Sequence, residues 1–154
     1  MANIPNKTDG DVLYADTLFK LIAEDQTGGS ILNSTTETMI GESQLTAGQA
    51  SAGVLVIATG KVIHDLNVTN TASIKLYTGE NAAFGSNTLR KTITRVHTDH
   101  TDSGVDHVEV GWTLVTFVSA ETWANSIYVQ ITGENSTAHT GMGITCESLV
   151  VIGV

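Results

Sequence analysis

Cysteine, proline, aromatic side chains and charge are all scarce in this chain, and each scarcity removes a class of protein. The single cysteine, Cys146, allows no intramolecular disulfide, and no CxxC pair exists for zinc or thiol redox chemistry. The single proline, Pro5, leaves everything after it free of residues that break a strand ladder. Charged residues make up only 15% of the 154 positions, whereas disordered chains carry high charge and few β-branched residues. No segment approaches the roughly 20 apolar residues of a membrane-spanning helix. The opening MANIPNKTDGD has no apolar core of the kind a signal peptide needs. The expectation is a protein made in a cytoplasm, without membrane insertion.

Positive charge is scarce in one half in particular. All seven basic residues fall at or before Arg95, against nine acids, so residues 1–95 carry −2. Residues 96–154 hold seven acids and no Lys or Arg, which accounts for the other −7 of the net −9. A nucleic-acid partner needs cations to displace phosphate counterions, so none is expected.

What is present favours strands. Apolar residues reach 41%, and Val, Ile and Thr abound; branched side chains pack well on a pleated surface. The exception lies near the start, in DVLYADTLFKLIAEDQTGGS. Ala15, Leu18, Phe19 and Ile22 fall at i, i+3, i+4 and i+7, the spacing of one helical face. Asp11 or Asp16 can cap the first turn, and Gly28-Gly29 ends the segment. The spacing predicts a short amphipathic helix from Val12 to Glu24, preceded by a polar arm. Residues 1–30 are thus read as an anchoring segment and residues 31–154 as the folded domain.

Strand patterns then follow one another: residues 37–42, 53–66, 73–79, 88–97, 108–119, 126–133 and 143–154. Gly60, inside the long apolar run GVLVIATGKVIHDL, marks a bulge or bend. The hydrophobic ending VVIGV predicts a last strand paired inside a sheet. Seven or eight strands joined by Gly, Asn and Ser turns predict an all-β fold, a sandwich or jelly roll of about eight antiparallel strands.

The sequence blocks IGES, GVLVIATG, SIKLYTG, GWTL, SIYVQITGEN and ESLVVIGV, in that order, resemble the small jelly-roll domains of tailed-bacteriophage virion proteins. The opening NKTDGDVLYADTLFKLI is similar to the N-terminal segments of many phage structural proteins. The resemblance implies a tumour-necrosis-factor-like sandwich and a non-enzymatic virion component, a capsid decoration protein or small fibre. It further implies a homotrimer, attached to a major capsid or tail protein through residues 1–25. The anchoring side chains would be Ile4, Pro5, Val12, Leu13, Leu18, Phe19 and Ile22. The alternative is a carbohydrate- or receptor-binding module that contacts a host-surface glycan. Trp123, in the polar stretch SAETWANS, is its candidate ligand contact, while Trp112 sits in an apolar strand and reads as core.

The densest chemistry lies in VHTDHTDSGVDHVEV. His97, His100 and His107, with Asp99 and Asp102, offer the imidazole and carboxylate donors of a divalent metal site. The spacing is a poor match to a calcium loop. The competing reading is a solvated acidic hairpin between two strands, whose histidines gain charge as pH falls through about 6 to 7. No GxSxG elbow and no Walker or dinucleotide glycine pattern is present, so neither an enzyme nor an organic cofactor is expected. Cys146, in GITCESLVVIGV, reads as a small buried residue.

Overall fold

The stretch NTASIKLYTG shows the rule by which the molecule is built. Ala72, Ile74, Leu76 and Thr78 are buried, while Thr71, Ser73, Lys75 and Tyr77 lie half-buried on the other face. That is the period of two imposed by a pleated strand. The computed structural model describes residues 20–25, 30–32, 34–99 and 107–154. Among these are nine strands: β1 (Lys20–Asp25), β2 (Ser30–Leu32), β3 (Thr38–Thr46), β4 (Gly53–Asp65), β5 (Asn70–Gly79), β6 (Thr88–His97), β7 (His107–Ser119), β8 (Ser126–Asn135) and β9 (Gly143–Gly153).

They form two sheets in which every pairing is antiparallel. The first has the order β1-β9-β4-β7, with β2 also on β9, and the second has the order β3-β8-β5-β6. β1 pairs with Leu149 to Gly153 and β2 with Gly143 to Thr145, so the two short strands divide one edge position between them. With β1 and β2 taken as one, each sheet has four positions. Apart from the β5–β6 hairpin, every later connection crosses from one sheet to the other. This is the connectivity of a jelly roll.

The inward faces meet in one core. Val54, Val56, Ala58 and Val62 of β4, Leu114 of β7 and Leu149 and Val151 of β9 are buried in a single cluster with Ile74, Leu76, Ile127, Val129 and Ile131 of the second sheet. Each such side chain contributes about 1.5–3 kcal/mol of burial free energy. Trp112 belongs to this core, 2% exposed, with its Nε1–H donating to the Thr145 carbonyl at 3.1 Å. The expected irregularity at Gly60 is there. The β4–β9 register shifts between Thr59 and Gly60, with Glu147 as the extra residue on β9. A Cβ at Gly60 would lie 2.6 Å from Trp112 Cζ2, so the indole takes the space a side chain would need. The last strand lies inside its sheet, between β1/β2 and β4, and Cys146 is buried as expected.

The N-terminal reading needs correction. Lys20–Asp25, which the helical spacing placed in the last turns of a helix ending at Glu24, is strand β1. Leu21 pairs with Ile152 and Glu24 with Val150, which gives β9 a second neighbour along its length. A helix of about three turns is marginal on its own, and backbone pairing along an otherwise open strand outweighs that weak local preference. Ile22 falls at the register irregularity between Leu21 and Ala23. The sandwich therefore includes residues assigned above to the anchoring segment, and a division at residue 30 cuts through its first sheet. Ile4, Pro5, Val12, Leu13, Leu18 and Phe19 lie outside the described residues.

Candidate functional sites: a histidine-bearing end and an apolar outer face

The strand register gathers histidines that are far apart in sequence. His64 and Asp65 close β4, Asn70 opens β5 opposite His97, and His107 opens β7 opposite Asp65. His139 follows β8 and joins them, so His64, His97, His107 and His139 occupy one end of the sandwich. His64 is 1% exposed and its ring stacks on His97 with centroids 5.4 Å apart. Its Nδ1 lies 3.5 Å from Asn70 Nδ2, which also donates to Asn135 Oδ1 at 2.9 Å. Ser136 Oγ donates to Asn70 Oδ1 at 3.2 Å. His64 Nε2 and Asn135 Nδ2 are buried without a hydrogen-bond partner among the described residues. Burial, and then the neighbouring His97, pushes the His64 pKa below the ordinary histidine value.

Asp65 faces the rim of this end. Its Oδ1 accepts from the Asn67 backbone N–H at 2.8 Å, and its Oδ2 lies 2.7 Å from His139 Nδ1. The Asn67 N–H outweighs partial burial and, with His139 and His107, holds the carboxyl below the usual aspartate range.

Of the donors expected to form a metal site, His97, Asp99 and His107 lie among the described residues. His97 is stacked on His64, with its Nε2 3.4 Å from the Leu66 carbonyl oxygen. His107 Nε2 lies 3.4 Å from the Thr140 carbonyl oxygen. Asp99 is held by its backbone N–H, which donates to Thr69 Oγ1. His100 and Asp102 lie outside the described residues. Among the described residues no group of three or more His, Cys, Asp or Glu is arranged to hold a metal ion. The stretch from His97 to His107 does not join two strands of one hairpin, because β6 and β7 belong to different sheets.

Trp123 is not an open stacking platform. It is half-buried against the core, with its Nε1 buried. A separate cleft, which Trp123 does not line, is formed by Arg90, the β7 residues Thr116 to Ser119, Ala120 and Glu121. Arg90 is tied there to Glu121 at 2.7 Å.

The two outward faces differ sharply. On the second sheet Lys75 Nζ sits 2.8 Å from both Glu37 and Glu134, and Thr132 Oγ1 donates to Glu37. Beside them Gln130 Nε2 donates to Glu42, and its Oε1 accepts from Asn87. On the first sheet the register aligns Phe117, Leu55 and Ile152 in one row across β7, β4 and β9. Val115, Ile57 and Val150 form the next row. All six point away from the core; Val115 and Phe117 are 49% and 51% exposed. Phe117 lies over Gly53, where a Cβ would approach its Cζ to 2.7 Å, so the ring rests flat on the sheet. Beyond a neutral row of Thr113, Thr59 and Ser148, charge returns as Lys61 between Glu109 at 3.5 Å and Glu147 at 3.2 Å.

The outer edge of β7 carries its own device. Lys91 Nζ donates to the Val115 carbonyl at 2.9 Å and Arg95 Nε to the Gly111 carbonyl at 3.3 Å. Both cations come from β6, the edge strand of the other sheet, and occupy acceptors that an added strand would use.

No family model matches the chain, and no characterised protein matches it in sequence. Among solved structures it is similar to the VP2 subviral particle of infectious bursal disease virus. The identity is 15% and the TM-score 0.39, over 86% of this chain and 32% of that one. The Gt and Gx strain structures of the same virus match at 12% and 14% identity, both with a TM-score of 0.35, over 86% of this chain and 31% of theirs. The chain spans about a third of the length of these proteins.

Proposed function

We propose that this chain is a structural subunit of a virion, a homotrimeric capsid decoration or small fibre protein with no catalytic role. The observation that carries this reading is the apolar outer face of the first sheet. A solitary antiparallel sandwich commonly turns polar side chains outward, and the centre of the second sheet does so around Lys75, Thr132 and Gln130. Two adjacent rows of Leu, Ile, Val and Phe on the other face instead mark a surface that another protein covers. The resemblance in strand order to tailed-phage jelly rolls supports the virion setting, since the fold by itself serves many functions.

Attachment to a major capsid or tail protein is assigned to the segment before β1, with Val12, Leu13, Leu18 and Phe19 as its apolar contacts. β1 supports that assignment, because it ties whatever precedes Lys20 directly to a strand of the sandwich. The test is incorporation into particles, followed by mass spectrometry and electron microscopy. The wild-type chain should be present in many copies at symmetry-related positions. The double substitution Leu18→Asp with Phe19→Asp should leave a folded protein that no longer joins the particle. Absence of the wild-type chain from purified particles would refute the virion role. Normal incorporation of the doubly substituted chain would refute attachment through this segment.

A further inference from the structure

We infer that the apolar outer face of the first sheet is where copies of this chain meet, the same rows from each copy closing around a common axis. The inference rests on the reading of the chain as an assembling structural subunit and names the surface that assembly uses. Two features of the face point to a second copy as its occupant.

The first is charge. A chain of net charge −9 repels its own copies over most of its surface. Across β7, β4 and β9 the side chains of this outer face carry charge at one end only, where Lys61 is already paired with Glu109 and Glu147. Two rows of uncharged apolar side chains, bordered by Thr59, Thr113 and Ser148, therefore form the surface on which like copies approach with least repulsion. On the second sheet, by contrast, Glu37, Glu42 and Glu134 stand against the single cation Lys75, so two such faces would bring acids together.

The second is shape. Phe117 lies flat over Gly53 rather than standing off the surface, which keeps the face open to close approach. Strand addition along β7 is opposed by Lys91 and Arg95, which favours the face over this edge for self-association. An apolar centre with a polar margin is the usual anatomy of such an interface.

The test is sedimentation of the full-length protein over a range of concentrations. Phe117→Lys and Val115→Lys are compared with Thr92→Lys, an exposed site on the second sheet. Circular dichroism checks that each variant is folded. The wild type should be oligomeric, the first two variants should weaken association at least a hundredfold, and the third should leave it unchanged. A second measurement does not depend on disrupting anything. Val115→Cys should form a disulfide between copies under mild oxidation, whereas Thr92→Cys should not.

Oligomers that persist in both Lys variants, with no Val115→Cys cross-link, would overturn the assignment of this face. They would leave the structural-subunit reading intact, since incorporation into particles measures that separately. A wild type that stays monomeric at every concentration would also overturn the inference. The face would then be left to residues 1–19 or to a different virion protein, and particle incorporation would again decide the broader reading.

Discussion

Each sheet of this sandwich sets one lysine between two glutamates on its outer surface, and the two triads are in very different settings. Lys75 holds Glu37 and Glu134 at 2.8 Å each, and all three side chains are less than a third exposed. Lys61 holds Glu109 and Glu147 at 3.5 and 3.2 Å, and all three are about half exposed. Burial raises the Glu37 pKa, but hydrogen bonds from Lys75, Thr132 and Tyr77 outweigh it and leave the carboxyl below its ordinary range. The same shielding works against a charged Lys75, yet Glu134 and Glu37 together hold its pKa well above the usual lysine value. Around Lys61 the shift has the same direction, caused first by Glu147, but in open solvent. Shielded pairing fixes a structure, whereas exposed pairing mainly neutralises a surface. The second face is thus finished as an exterior, and the first keeps its charge paired and to one side of an apolar field.

Four experiments would break or sharpen this contrast. Among changes to the two outer surfaces Lys75→Met should have the largest effect, a loss of about 1–3 kcal/mol in urea unfolding, because two partly buried carboxylates lose their shared cation. The pH dependence should come next and have two separate arms. His64 has a depressed pKa in the fold, so the unfolded chain takes up a proton there first as pH falls. Stability should therefore decline below about pH 6.5 and level off once the folded histidine is itself protonated. A His64→Gln variant should lose this arm in thermal melts between pH 8 and 5. The second arm belongs to Glu37, whose depressed pKa gives stability that is complete above about pH 4.5 and is lost as pH falls through the folded value. Lys75→Met should flatten that arm and leave the histidine arm in place.

Smaller still is the expected cost of Phe117→Ser, about 1 kcal/mol or less in the isolated chain, since half the ring already faces solvent. A truncation at an inward position such as Leu149→Ala should cost about 2–5 kcal/mol by comparison. Lys61→Met should leave the urea midpoint unchanged within error. A marked loss there would place the exposed triad on the same footing as the shielded one.

The strands β4 to β9, the irregularity at Gly60 and the internal position of the last strand were all legible in the sequence, because each left a local signature of alternation, glycine or apolar termination. β1 was hidden because LFKLIAED satisfies helical spacing equally well, and its true partner, Leu149 to Gly153, lies more than a hundred residues away. β2 has three residues, too few for any period to show. The apolar outer face was half visible. GVLVIA is apolar at every position, which announces that both faces of a strand avoid water. A run cannot say which of its faces the fold will leave uncovered. The histidine-bearing end was likewise legible only in part. Residue types in VHTDHTDSGVDHV suggested ligands, while the partners that matter, His64, Asn70 and Asn135, come from strands brought together only by the jelly-roll winding.

The two cations that close the edge of β7 also bear on how the protein behaves when crowded. Lys91 and Arg95 reach from one sheet to the backbone of the other, so any force that parts the layers along that side must first withdraw them. Until that happens the exposed edge offers no template for ladder growth. In a dense layer of such molecules a neighbour's strand therefore meets, along this side, acceptors that are already occupied.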